Sequence, residues 1–124
     1  MEGLQIQKTS LTPEAACRVL ETAVEAGHTY GIGYWADIVA VQRGRVVVTD
    51  ETVIGLAVKD REGNGKCYRL NAGHVERAVS KMLADPKKTE SDGWTDALLT
   101  QEYPDGPLSD AIVQVACFGK IVYA

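Results

Sequence analysis

Tyr34-Trp35-Ala36-Asp37-Ile38-Val39-Ala40-Val41 decides the fold, because here the hydrophobic period of the chain changes from helical to strand-like. Upstream, Thr12 can cap a helix, Pro13 suits its first turn, Glu14 complements its dipole and Gly27 supplies a left-handed stop. The spacing predicts that helix from Pro13 to about Ala26, with Ala16, Cys17, Leu20, Ala23 and Val24 on one apolar face. His28 to Gly33 reads as a glycine-loosened turn into the strand. Downstream, Arg43-Gly44 predicts a tight turn into Arg45-Val46-Val47-Val48-Thr49, closed by Asp50-Glu51, and Val53 to Val58 is a further β-rich segment. Glu62-Gly63-Asn64-Gly65 predicts a hairpin leading into Lys66-Cys67-Tyr68-Arg69-Leu70.

Asn71 can cap a second helix reaching about Ala84, with Val75, Ala78, Val79 and Met82 inward and Glu76, Arg77 and Lys81 outward. Pro86 stops it, Asp85 to Asp92 reads as a loop, and Trp94 to Leu99 as a short helix. Pro104-Asp105-Gly106-Pro107 predicts a turn. Ser109 and Asp110 then open a last helix with Ile112, Val115 and Ala116 as its core stripe, Phe118 at its end and Gly119 as its stop. The Ile121-Val122-Tyr123 tail is apolar where chain ends are usually polar, so it is expected to dock against the sheet or a second subunit. The fold class is α+β, an antiparallel β-meander packed against two to four helices, and residues 1–124 are expected to form one domain.

Composition narrows the function without naming it. A chain of 124 residues, 45% hydrophobic and 24% charged, can bury a core of its own. Its net charge of −4 suits neither a partner of extended nucleic acid, which would carry a basic stripe, nor an acidic mimic of one. Cys17, Cys67 and Cys117 form no CxxC pair and Cys17 lies on the apolar helix face, so a reducing cytoplasm, bacterial or that of an infected cell, is expected. No secretory leader or run of roughly 20 apolar residues is present, and no membrane association is expected.

Two motif-like strings fail on context. Gly31-Ile32-Gly33-Tyr34-Trp35-Ala36 matches the letters of a dinucleotide fingerprint but follows a helix and opens a strand, the reverse of what that site needs. Asp60-Arg61-Glu62-Gly63-Asn64-Gly65 imitates the front of a calcium loop, but its twelfth position is Asn71 and strands flank it. His28 and His74 have no ligand partner at metal spacing, and no serine or cysteine sits in a nucleophile motif, so neither metal nor cofactor is expected. Two features suit a ligand. Tyr34 and Trp35 are adjacent on a strand, so one ring should face outward and could stack on a base. His74 stands in the first turn of the second helix with Arg69 and Arg77 near it in sequence, a combination that attracts anions.

The Tyr34-Trp35-Ala36-Asp37 strand, together with Asp110-Ala111-Ile112-Val113-Gln114 and Phe118-Gly119-Lys120-Ile121-Val122-Tyr123, resembles a family of small phage and prophage proteins built as helix, YWA strand, meander, Tyr-x-Leu strand and final helix with an FGxIVYG end. Tyr68-Arg69-Leu70 supplies the Tyr-x-Leu element, whereas Lys120 and Ala124 depart from the pattern. Small phage proteins of this build are similar in size to the sponges that capture nucleotide-derived immune signals, as in Thoeris anti-defence. The resemblance implies a non-catalytic homo-oligomer that sequesters a small nucleotide-like ligand through Tyr34, Trp35, Arg69, His74 and Arg77. The competing readings are an adaptor that binds a host or phage protein, and a hydrolase of a nucleotide signal using Asp37, His28 and His74.

Overall fold

The computed structural model describes residues 12–25, 31–46, 51–84 and 106–123. Their elements run α1 (Pro13–Glu25), β1 (Ala36–Arg45), β2 (Glu51–Asp60), β3 (Cys67–Asn71), α2 (Ala72–Leu83) and α3 (Gly106–Phe118). The three strands form one antiparallel sheet in the order β1-β2-β3, so the chain is α+β with a meander. Buried residues from all six elements join in one apolar cluster that includes Leu20, Trp35, Val53, Val58, Leu70, Val79 and Ile112.

The helix boundaries follow local chemistry. Thr12 Oγ1 accepts the Ala15 N–H at 3.1 Å and starts α1, whose Ala15, Ala16, Cys17, Val19, Leu20 and Ala23 are buried. Burial pushes the Cys17 thiol up, consistent with its place in the core. Asn71, the last residue of β3, caps α2 reciprocally with His74, and Val75, Ala78, Val79 and Met82 face inward as the spacing requires. Gly119 takes a φ of 79° and its N–H reaches Val115 O at 2.8 Å, ending α3 in the left-handed conformation that glycine adopts without penalty.

Three expectations are corrected. The first is the turn at Arg43-Gly44. β1 continues past these residues to Arg45, which pairs with Glu51, so Arg45 ends β1 and opens no new strand; Val46 follows in a bend, and Val47 to Thr49 lie outside the described residues. Gly44 instead pairs with Thr52 within the sheet, and a Cβ there would lie 2.6 Å from Ile54 Cδ1, so the Ile54 side chain would have to shift. Ile54 is the extra residue of an irregularity in β2, where Gln42 pairs with Gly55 and Arg43 with Val53; Val39 is a second extra residue, in β1.

The second correction concerns the start of α3, which begins at Gly106 with Pro107 in its first turn, so Ser109 and Asp110 are buried interior residues rather than openers. The third concerns Tyr34 and Trp35, which precede β1 in a turn rather than alternating along it. Both send their polar atoms to the same carboxylate, that of Asp110. His28, the Gly27 stop, the Asp85 to Asp92 loop and the Trp94 to Leu99 helix lie outside the described residues.

Asp60-Asn64-Gly65 closes the β2–β3 connection by a longer route than a two-residue turn. The Gly65 N–H reaches Asp60 O at 3.0 Å, Gly65 has a φ of 72°, and the Asp60 carboxylate accepts the Gly63 and Asn64 N–H groups at 3.0 and 3.1 Å. Asn64 Oδ1 takes the Lys66 N–H at 2.7 Å, an Asx turn that hands the chain to β3.

Candidate functional site

Cross-strand partners share a face of a sheet. Val41, Leu56 and Leu70 line up across the three strands on the core side, whereas Gln42 pairs with Gly55 and Gly55 with Asn71, and Ala40 with Ala57 and Ala57 with Arg69, on the other. On that second face lies a groove of about 250 Å³, whose walls include Ala40 and Gln42 of β1, Gly55 and Ala57 of β2, Arg69 and Asn71 of β3, and His74 of α2. Its floor is made of small residues, Ala40, Gly55 and Ala57. At Gly55 a Cβ would sit 3.0 Å from Gln42 Oε1, so a side chain there would push the Gln42 amide aside and narrow the groove.

Arg69 stands exposed beside this floor. His74 is committed to the helix cap, its Nδ1 accepting the Asn71 N–H at 3.0 Å while its own N–H donates to Asn71 Oδ1 at 3.2 Å. That bond requires the tautomer with the proton on Nε2, which makes the ring a hydrogen-bond donor on its remaining side. Arg77 is exposed and folds back over the start of α2, with Nη1 3.6 Å from where a Cβ on Gly73 would be. Of the five residues expected at a ligand site, Arg69 and His74 therefore share the groove and Arg77 lies over the adjoining helix start.

Tyr34 and Trp35 belong elsewhere. Trp35 is 0% exposed; its Nε1–H donates to Asp110 Oδ1 at 2.7 Å and its ring stacks on Tyr123 at 5.5 Å between centroids. The Tyr34 hydroxyl donates to Asp110 Oδ2 at 2.6 Å, and Gln114 Nε2 donates to that hydroxyl at 3.2 Å and to Asp110 Oδ1 at 3.0 Å. Burial and the neighbouring Asp110 carboxylate push the Tyr34 hydroxyl well above the usual phenol range. None of these partners lines the groove. A ring with both faces covered offers no stacking platform, so the aromatic half of the expected pocket is not assembled with the cationic half.

The same network receives the tail. Gln114 Oε1 accepts the Val122 and Tyr123 N–H groups at 2.8 and 2.7 Å and Gln114 Nε2 donates to Tyr123 O at 3.1 Å, so one buried side chain satisfies the backbone of the tail. Tyr123 then donates its hydroxyl to Asp60 Oδ1 at 2.8 Å. Burial would raise the Asp60 carboxyl, but this hydroxyl and the backbone N–H groups of the hairpin hold it below the usual range. The tail thus docks within its own chain. Asp37, a candidate for chemistry, is ion-paired to Arg61 at 2.7 Å at the hairpin end of the sheet, while His74 caps α2.

Gln42, Gly55 and Ala57 were not singled out as site residues. The signal that marks them is Gly55 itself, an isolated glycine inside a β-rich run, which announces a close backbone approach. Comparison with known proteins finds no matching family model, no matching curated protein and no matching solved structure.

Proposed function

We propose that this protein is a non-catalytic binder of a small anionic, nucleotide-like ligand, which it holds intact in the groove on the face of the sheet away from the core, in the manner of a phage-encoded sponge. The observation that carries the reading is the position of Arg69: a guanidinium with no ion pair or hydrogen bond to the described residues, set at the rim of a small-residue floor. Guanidinium groups recognise phosphate and carboxylate oxygens by paired, charge-assisted hydrogen bonds. The His74 ring and the amide groups of Gln42 and Asn71 add polar partners suited to a ribose or base edge. The groove is smaller than the roughly 300–1,000 Å³ of sites that enclose a whole drug-sized molecule, so a ligand lies across it with part of its surface in water.

Calorimetry with a panel of mononucleotides, cyclic nucleotides and inorganic phosphate, followed by chromatography of the released ligand, tests the reading. The expected result is binding of at least one nucleotide, recovered unaltered, with Arg69→Ala weakening it by about tenfold to a hundredfold while circular dichroism stays native. Equal binding by Arg69→Ala overturns the site. An altered ligand overturns the non-catalytic reading, and no binding by the parent overturns the function.

A further inference from the structure

β1 has the sequence of an interior strand and the position of an edge strand. Ile38-Val39-Ala40-Val41 is a continuous apolar run, the pattern of a strand covered on both sides. In the order β1-β2-β3, however, β1 has a strand neighbour on one side only among the described residues. Ile38 and Val39 are 38% and 58% exposed. An edge whose central stretch, Ile38 to Val41, is apolar and has no strand beside it among the described residues is a template for a further strand.

The charges along β1 identify that strand. Asp37 stands at one end, Arg43 and Arg45 at the other, and every residue between is uncharged. Antiparallel pairing with a second β1 opposes the acidic end of each copy to the basic end of the other, whereas parallel pairing opposes like charges. Antiparallel pairing is also the arrangement a two-fold axis generates. Asp37 and Arg43 already pair with Arg61 and Glu21, but both side chains remain about half exposed and can extend those pairs into a cross-strand network. We infer that two copies of this chain join along β1, giving a continuous sheet in the order β3-β2-β1-β1-β2-β3. The extra residue at Val39 bends the edge and limits the paired length. Ala40, Val41 and Gln42 line the groove as well as the edge, so the second copy's β1 runs beside each groove and adds to its open wall.

The dimer rests on the edge alone and stands whether or not the groove takes a nucleotide, so its test uses the full chain without ligand. Sedimentation equilibrium from low micromolar to millimolar chain is expected to show a monomer–dimer equilibrium. Val39→Lys, at an exposed position, should raise the dissociation constant at least about tenfold, because by symmetry the change enters twice. Arg43→Glu should also weaken the dimer, and Arg43→Glu combined with Asp37→Lys should restore it. A parent that stays monomeric throughout overturns the inference, as does a dimer unaffected by Val39→Lys in a natively folded protein. Failure of the double variant to regain what the folded Arg43→Glu protein loses overturns the antiparallel pairing.

Discussion

Asp110 sits inside a mostly apolar helix with donors on three sides: the Trp35 indole, the Tyr34 hydroxyl and the Gln114 amide. A buried carboxylate is stable only when its oxygens are fully used, and here both are. Because the same donors come from the turn before β1 and from within α3, this one side chain fixes how α3 lies against the sheet. Asp110→Asn keeps the volume but presents an NH₂ group where an acceptor is needed. It is expected to cost about 1–3 kcal/mol in urea unfolding, with a change in tryptophan fluorescence as Trp35 loses its partner. Unchanged stability and fluorescence would show that the network contributes little. The residue types of the network are legible in the sequence, but their roles are not, since a Tyr-Trp pair reads the same whether it stacks on a base or satisfies a carboxylate.

At the scale of the element, ends were more legible than interiors. Thr12, Asn71 and Gly119 each act on backbone groups within four residues, so nothing distant can change their meaning. Gly65 behaves in the same way. It takes a φ of 72°, and a Cβ there would meet nothing within 4 Å, so the cost of a side chain is purely that of the backbone conformation. Gly65→Ala is expected to destabilise the protein by about 1–2 kcal/mol and Gly65→Asn by less, because asparagine tolerates the left-handed region. Equal effects in thermal unfolding would mean that the strain is not local. Gly44 is the complementary case: Arg43-Gly44 reads locally as a turn, whereas pairing with Thr52 on another strand keeps it inside β1.

For the whole molecule, pH dependence follows from the latch between Tyr123 and Asp60. The Asp60 carboxyl is held low in the folded state, so its stabilisation is present above the unfolded aspartate value of about 3.9 and is lost as pH falls through and below it. The Asp60 carboxylate beside the Tyr123 hydroxyl pushes that phenol up to about 12. The unfolded chain therefore releases this proton first, and stability falls as pH rises from about 10 toward 12. Tyr123→Phe removes one donor from Asp60, so acid unfolding should begin at higher pH while the alkaline limb becomes shallower. Urea midpoints measured across pH for both proteins check this, and superimposable profiles would exclude the latch as a source of stability.

Periodicity determined that a helix precedes the YWA segment, that a meander follows it and that a capped helix leaves the last strand, because these patterns report burial within a few residues of chain. The inward stripe of α2 was legible in full for the same reason. Only the tertiary structure decided that β1 continues through Gly44, that the tail returns to Gln114 and Asp60, and that Trp35 is enclosed while Arg69 and His74 share a groove with Gln42 and Gly55. Each of these depends on which residues meet across large sequence separations. A buried side chain and a ligand-binding one are drawn from the same few chemical types, and only their neighbours in space tell them apart.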